Sequence, residues 1–307
     1  MKKIHKIGIA IGALLILAFA YLNHRYEVVA LHPFFGSDDA DVKVMTWNVH
    51  CPEGTDSIRQ KELAEVILKE DADIVLLNEI HQDSCLVLDS MLRTKYAYTE
   101  EYQSHQECGD IFYAKREMSN SGHPILREIW ESHYAKEGEH YPDTLNGKSI
   151  QAIKATITVG RDSVMILGCH WASNRGEEKA KAINAEDPMN MDSLYVRYQR
   201  AQISRSFQSR WTAELIKDSK HPVIIMGDMN DFSYSEPLKA LTDIGLKDAW
   251  WEGGTGYGCT FHSRWMRLRI DHIFHSERLK LTDVRVIDTG NLSDHHPLTA
   301  SFKIAKQ

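Results

Sequence analysis

Cysteine is scarce in this chain. Five residues, Cys51, Cys85, Cys108, Cys169 and Cys259, are scattered over 307 positions, too few and too widely spaced for a disulfide scaffold or a zinc knuckle. The odd count leaves at least one thiol unpaired within the chain, and Cys85 with Cys108 is the pair expected to join in an oxidising compartment. An excess of positive charge is also missing. The formal net charge is -7, so no bulk basic field draws the protein to nucleic acid or anionic lipid, although a local basic groove is compatible with an acidic whole. No glycine-rich phosphate turn occurs, which argues against a parallel doubly wound nucleotide-binding fold. No internal linker rich in Pro, Gly or Ser follows residue 41, so one domain is expected from there on.

Long apolar runs are absent too. The one at 7–22, behind Lys2, Lys3 and Lys6, is shorter than the ~20 residues that span a bilayer comfortably. Its length fits a signal-peptide core or a short signal anchor, and Ala18-Phe19-Ala20 resembles a small-residue cleavage site. The basic flank would hold the N-terminus in the cytoplasm and place the rest outside. The expected division is therefore a signal peptide or membrane anchor at 1–25, a tether at 26–40 and a folded domain at 41–307, exported or anchored to the cell membrane. With 43% hydrophobic and 26% charged residues, that domain can bury a sizeable core.

What the chain does have is a series of short apolar runs with polar tips. A strand over 41–48 places Val42, Val44 and Thr46 on one face and Lys43, Met45 and Trp47 on the other. A helix fits 57–70, capped by Asp56 or Ser57, with Leu63, Val66 and Ile67 at helical spacing. The run 74–78 is nearly all apolar, as in a strand covered on both faces. A strand at 111–114 precedes a polar, aromatic loop over 119–148. Segments 149–159 and 163–169 read as a hairpin turning at Gly160-Arg161-Asp162. A second long helix, about 194–217, sets Ile203, Phe207, Trp211 and Leu215 four residues apart and leads into a strand at 223–226. Strand, loop, helix and acid-tipped strand thus occur twice, which predicts two similar halves closing on one site. The expected fold is an α/β four-layer sandwich, two mixed β-sheets packed face to face with helices on the outside.

Six of these runs deliver chemistry to their ends: Asn48, Glu79, His170, Asp228 with Asn230, Asp271, and Asp294 with His295. Asp228 and Asn230 lie two apart, so one carboxylate and one amide point the same way; the acid can orient or deprotonate water and the amide can donate to a phosphoryl oxygen. Glu79 ends a run too apolar to carry a casual surface charge and wants a cation, Mg²⁺ being held by one or two carboxylates plus waters and phosphates. A histidine oriented by a carboxylate, as His170 or His295 could be by Asp271 or Asp294, is a general acid or base near neutral pH. Zinc favours several His or Cys ligands, whereas this oxygen-rich set suits Mg²⁺ or Mn²⁺. The helix arginines Arg197, Arg200, Arg205 and Arg210 read as a solvated face. Trp250, Trp251, Tyr257, Phe261 and Trp265 fit core packing or a base or lipid pocket.

Taken together these segments resemble the endonuclease/exonuclease/phosphatase superfamily over about 41–303, with its sparse motifs in the family's order. The resemblance implies a divalent-metal phosphoesterase with Glu79 as main metal ligand and Asn48 and Asp294 nearby. It implies that Asp228 and Asn230 position water and phosphoryl group, that His295 pairs with Asp271 at the scissile phosphate, and that His170 is the second histidine of the deoxyribonuclease-like and lipid-cleaving branches, loosely oriented by Asp110. Asn174 and Asn230 are the expected substrate-binding amides. Asn78 stands where the family usually has Gln, and substrate choice is expected in the insertions at 119–148 and 177–192. The implied reaction is Mg²⁺- or Mn²⁺-dependent hydrolysis of phosphate esters by in-line water, of the phosphodiesterase or nuclease type. The alternatives are a phospholipid or inositol-phosphate phosphatase, a sphingomyelinase-like activity, or a non-catalytic binding module. The expected partners are that ester substrate and the membrane, with no obligate protein partner.

Overall fold

A computed structural model describes residues 12–23, 28–32, 36–37, 39–81, 83–102, 108–124, 152–174, 191–264 and 266–305. The first six-stranded sheet has the order β15-β16-β2-β3-β5-β4 and the second β10-β14-β9-β8-β7-β6. In the first, β2 (Val42–Cys51), β3 (Ile74–Ile80), β4 (Tyr98–Tyr102) and β5 (Gly109–Ala114) join β15 (Leu279–Val286) and β16 (Leu298–Ile304). The second comprises β6 (Met118–Gly122), β7 (Ala152–Val159), β8 (Asp162–His170), β9 (Val223–Asp228), β10 (Lys247–Asp248) and β14 (Asp271–His275). Two small ribbons complete the strands: β1 (Ala30–Leu31) with β11 (Thr255–Gly256), and β12 (Phe261–His262) with β13 (Arg267–Leu268).

Each large sheet has a parallel pair at its centre, β2 with β3 and β8 with β9, flanked by antiparallel strands. A parallel neighbour requires a crossover, and the two long helices supply it: α2 (Ser57–Glu70) between β2 and β3, α4 (Met191–Ile216) between β8 and β9. The expected echo between halves is therefore present in the topology. Strand parity then builds four layers. Val42, Val44, Ile74 and Leu76 of the first sheet meet Val164, Ile166, Ile224, Met226 and Ile273 of the second in one core between the sheets. The opposite parity, Met45, Trp47, Val75 and Leu77, packs beneath α2 and α3 (Leu86–Leu92). Met165, Leu167 and Ile225 pack beneath α4 and α5 (Glu236–Asp243), and α6 (Ala249–Gly253) lies beside β15.

The cap of α2 is as expected, with Asp56 Oδ1 accepting from the amides of Ile58 and Arg59, 3.0 Å each. The face of α4 is not. Ile203 is half exposed, while Ala201, Ser204, Arg205, Gln208, Trp211 and Thr212 are buried. Arg205, expected in solvent, is fully buried against Asp231, Nε to Oδ2 2.9 Å. Arg210 does lie on the outer face, over the Phe207 ring; the side chains of Arg197 and Arg200 lie outside the described set.

Other corrections are local. Residues 118–122 form an edge strand where a loop was expected, and most of the two insertions lies outside the described residues. Cys85 forms no disulfide with Cys108, and its Sγ donates to the Cys51 carbonyl at 3.3 Å. Residues 12–23 form a helix, α1, with Leu14, Leu15, Ile16, Leu17 and Phe19 exposed, and among the described residues no helix is long and apolar enough to cross a membrane. Part of the stretch read as a tether lies against the domain, through β1 and a hydrogen bond of 2.8 Å between His32 Nε2 and the Trp251 carbonyl.

Candidate active site

The period of two that builds the inner core also builds the rim. Following Val42 and Val44, the next inner-face positions of β2 are Thr46 and Asn48. In β8 Val164 and Ile166 lead to His170, and in β9 Ile224 and Met226 lead to Asp228. Asp271 shares parity with Ile273 at the start of β14, whose antiparallel register sets it opposite Asp228. These tips therefore converge between the two sheets at one end of the sandwich.

Glu79 breaks the pattern. Its parity follows Val75 and Leu77, toward α2, yet its carboxylate meets Asn48. The cause is a local irregularity: Glu79 has φ +56° and the β3 register shifts between Leu77 and Ile80. A matching shift occurs in β2 between Asn48 and Cys51, with His50 at φ +41°. Asn230, just beyond β9, is also left-handed, at φ +52°. Such conformations are uncommon for non-glycine residues and bulges re-aim side chains; three of them surround one set of polar groups here. Gly227, at φ +144°, serves the same rim. A Cβ there would lie 1.8 Å from the Cys169 carbonyl oxygen, so only glycine lets β9 approach β8 just before Asp228.

Asp228 is the hub. Its Oδ2 accepts from Asn48 Nδ2 at 3.0 Å and lies 3.6 Å from His295 Nε2 and 4.0 Å from His170 Nε2; its Oδ1 accepts from the Asn230 amide at 2.9 Å. Asn48 Nδ2 also donates to Glu79 Oε1 at 3.0 Å. Glu79 Oε1 lies 3.6 Å from His170 Nε2 and Oε2 2.9 Å from His50 Nδ1. His295 Nδ1 meets Asp271 Oδ2 at 2.8 Å, and His170 Nδ1 stands 3.6 Å from Asp110 Oδ1. Each of these two imidazoles thus has a carboxylate at Nδ1 and turns Nε2 toward Asp228.

Electrostatics follow from this crowding. Burial pushes Asp228 up, the facing Asp271 pushes it further, and the two imidazoles oppose, leaving it at about 6. Burial disfavours charge on His295, but Asp271 and Asp228 overcome it and raise the imidazole to about 9. His170 likewise overcomes its burial through Asp110, Asp228 and Glu79 and rises to about 10. Burial would raise Glu79, yet the His50 hydrogen bond, the His170 charge and Asn48 hold it well below the usual carboxylate range.

Asn78, the departure from the expected Gln, spans both sheets. Its Nδ2 donates to Asp110 Oδ1 at 2.8 Å and to the Cys169 carbonyl at 3.3 Å, and its Oδ1 accepts from the Asp228 amide at 3.3 Å. The loop bearing His295 is tied down in the same way: Ser293 Oγ donates to the Asn48 carbonyl at 2.8 Å and Trp47 Nε1 to the His295 carbonyl at 2.9 Å.

Could this set hold the cation it suggests? Ligand atoms of Glu79, His170 and Asp228 lie within 4.8 Å of one another, as do those of Asp228, Asp271 and His295. Anionic oxygens with imidazole in that span fit a divalent ion. Asp294 is in neither group. Asn48 turns its amide nitrogen to the carboxylates and its Oδ1 to the His50 amide, 3.1 Å away. Asn174 lies off the hub, its Oδ1 accepting from Arg205 Nη1 at 3.0 Å, and Asn230 Nδ2 donates to the Trp171 carbonyl at 3.0 Å.

Sequence reasoning missed His50, which only the β2 bulge brings to Glu79, and a buried support behind the 228–231 loop. There Arg269 Nη1 donates to Asp248 Oδ2 at 2.7 Å, and His272 bridges Asp248 Oδ2 at 3.2 Å and the Asp231 carbonyl at 3.0 Å. The Arg269 guanidinium holds Asp248 well below its ordinary range against the effect of burial. A signal lay in Asp271-His272, where successive strand residues face opposite sides of the sheet; Arg269 precedes the strand.

A profile of the Endonuclease/Exonuclease/phosphatase family matches residues 45–295. The chain belongs to this family. No curated protein matches the sequence. Solved structures do, and they share the fold. An endonuclease/exonuclease/phosphatase from Bacteroides vulgatus aligns with TM-score 0.63 and 19% identity, over 86% of this chain and 98% of that one. D. rerio TDP2 complexed with single strand DNA product aligns with TM-score 0.60 and 16% identity, over 85% and 98%. A family protein from Leptotrichia buccalis aligns with TM-score 0.58 and 15% identity, over 86% and 100%.

Proposed function

We propose that this protein is a divalent-metal-dependent phosphodiesterase of the nuclease type. One observation carries the reading: Asp228 is shared by two acid–imidazole groups, one with Glu79 and His170 and one with Asp271 and His295, each with its ligand atoms within 4.8 Å of one another. Nuclease-type chemistry is favoured over a lipid or inositol-phosphate activity by the likeness to TDP2, which is recorded with single-stranded DNA.

Glu79, His170 and Asp228 would hold the ion, and Mg²⁺ or Mn²⁺ there supplies Lewis-acid stabilisation of phosphoryl charge. The chain's own groups do the rest. Asp228, fixed by the Asn230 and Asn48 donors, orients a water and takes its proton. His295, kept cationic by Asp271, offers Nε2–H to the charge that builds on the phosphoryl oxygens. His170, with Asp110 at its Nδ1, turns its Nε2 to the ion's place beside Glu79 and Asp228.

The expected test result is Mg²⁺- or Mn²⁺-dependent hydrolysis of bis(p-nitrophenyl) phosphate, together with a metal-induced rise in Tm that Glu79→Gln removes. The pH dependence has a definite sign. His170 and His295 are raised above an unfolded value of about 6.5, so their contribution to stability is complete below that pH and is lost as pH climbs through 9 and 10. Asp228, raised to about 6, adds a penalty that is fully present above that value. The metal-free Tm should therefore fall between pH 6 and 10. The metal-induced gain should grow over the same range, because the ion competes with protons. A gain that shrinks with pH, or survives in Glu79→Gln, rejects this site.

We also propose export, supported by Lys2, Lys3 and Lys6 ahead of an apolar segment whose helical part, 12–23, leaves its large side chains exposed. Alkaline phosphatase fused after residue 40 should be active in cells; an inactive fusion would count against secretion.

A further inference from the structure

Beside the reacting centre lies a second cleft, of about 410 Å³, whose lining includes His262, Ser263, Arg264, Arg267, Ser293 and Asp294. It shares a wall with the site through the loop that carries His295. Ser293 Oγ accepts from the His295 amide at 3.2 Å, and the Asp294 carbonyl accepts from the His262 amide at 2.8 Å. The opposite wall is the β12–β13 ribbon, in which His262 pairs with Arg267 and Phe261 forms an isolated bridge with His295. The ribbon's tip is pinned by Ser263 N to the Met266 carbonyl at 2.9 Å and Met266 N to Ser263 Oγ at 3.1 Å. Both arginines thus sit on a short, braced element against the catalytic histidine, not on a free loop.

The chemistry of the lining favours an anion. Two guanidiniums and the His262 imidazole face one lining carboxylate, Asp294, with Asp288 near Arg267 and the histidines. His262 and His296 stack with centroids 4.4 Å apart, and the buried Nε2 of His262 has no hydrogen-bond partner among the described residues. Burial and the neighbouring His262 push the His296 imidazole below its ordinary value. Guanidinium forks suit phosphate oxygens bidentately. A cationic choline headgroup would be repelled.

We propose that this cleft is a subsite for a second phosphate of the substrate, next to the scissile one, recognised by Arg264 and Arg267 with His262. The proposal rests on the phosphodiesterase reading and deepens it: the substrate class becomes esters that carry neighbouring phosphates.

A matched substrate pair tests it, namely thymidine 5′-(p-nitrophenyl phosphate) with and without a 3′-phosphate. The wild-type protein should show kcat/KM about tenfold or more higher with the 3′-phosphate. In the R264A/R267A double variant that ratio should collapse to about one, while Arg161→Ala, at the far turn of β8, keeps it. An unchanged ratio in the double variant, no preference in the wild type, or faster turnover of p-nitrophenylphosphorylcholine overturns the subsite. If the wild type hydrolyses none of these esters, the hydrolase reading fails and binding alone decides. Inorganic phosphate titrated in chelator should bind the wild type about tenfold more tightly than R264A/R267A, and equal binding rejects the cleft.

Discussion

His295→Gln and Asp228→Asn will each lower kcat for Mg²⁺-dependent diester hydrolysis by about 10²–10³-fold while leaving a folded protein. The choice of replacement matters. His295 is buried beside Asp271, so alanine would strand a buried carboxylate, and the loss of activity would be confounded with loss of stability. Glutamine can still donate toward Asp271 but carries no charge and no titratable proton. Asparagine at 228 keeps the size of the side chain and one of the two acceptors that the Asn230 amide and Asn48 Nδ2 grip, and removes the base together with an anionic ligand of the ion. If Asp228 takes a proton from water and His295 meets phosphoryl charge, both variants lose kcat far more than they raise KM, because the missing interactions are made in the transition state. The double variant should be little worse than either single one, since groups acting on one event are not additive. Turnover within tenfold of wild type in either folded variant removes it from the mechanism.

How much of this could be read from the chain follows from the geometry of strands. Asn48, His170 and Asp228 each continue an inner-face alternation, so a period of two and an apolar run suffice to aim them. The sandwich and its twofold echo rest on the same periodicity. Glu79 was legible as an acid at the end of a buried strand, but its direction was not. Parity sends it toward α2, and only a left-handed residue at a register shift returns it to Asn48. His50 escaped notice for the same reason. Arg205 misled because helical periodicity marks which positions share a face, not whether that face is wet; its partner Asp231 is 26 residues away and no local signal announces it. Asp294 stands outside both acid–imidazole groups and lines the neighbouring cleft, a placement that motif company alone does not reveal.

That buried pair carries the second large expectation, a loss of about 3–5 kcal/mol in Arg205→Met. Arg205 and Asp231 are both wholly buried, and the guanidinium also holds the Ala172 carbonyl at 2.9 Å and Asn174 Oδ1 at 3.0 Å. Deleting the cation leaves the Asp231 carboxylate in the interior with, among the described residues, Gln202 Nε2, at 2.7 Å, and the Phe232 amide, at 2.9 Å, as donors. The double change Arg205→Met with Asp231→Leu removes both charges together, and the desolvation cost that each ion paid in folding disappears with them, so stability should return to near wild type. Activity should not return with it. Asp231 follows Asn230 directly, and its carbonyl anchors His272, which with Arg269 and Asp248 backs the strand that presents Asp271. The pair is thus expected to hold the 228–231 turn in register and not to stabilise the fold as such. Urea unfolding of both variants beside their kcat separates the roles. Recovery of stability and turnover together would mean that the turn keeps its geometry without the ion pair.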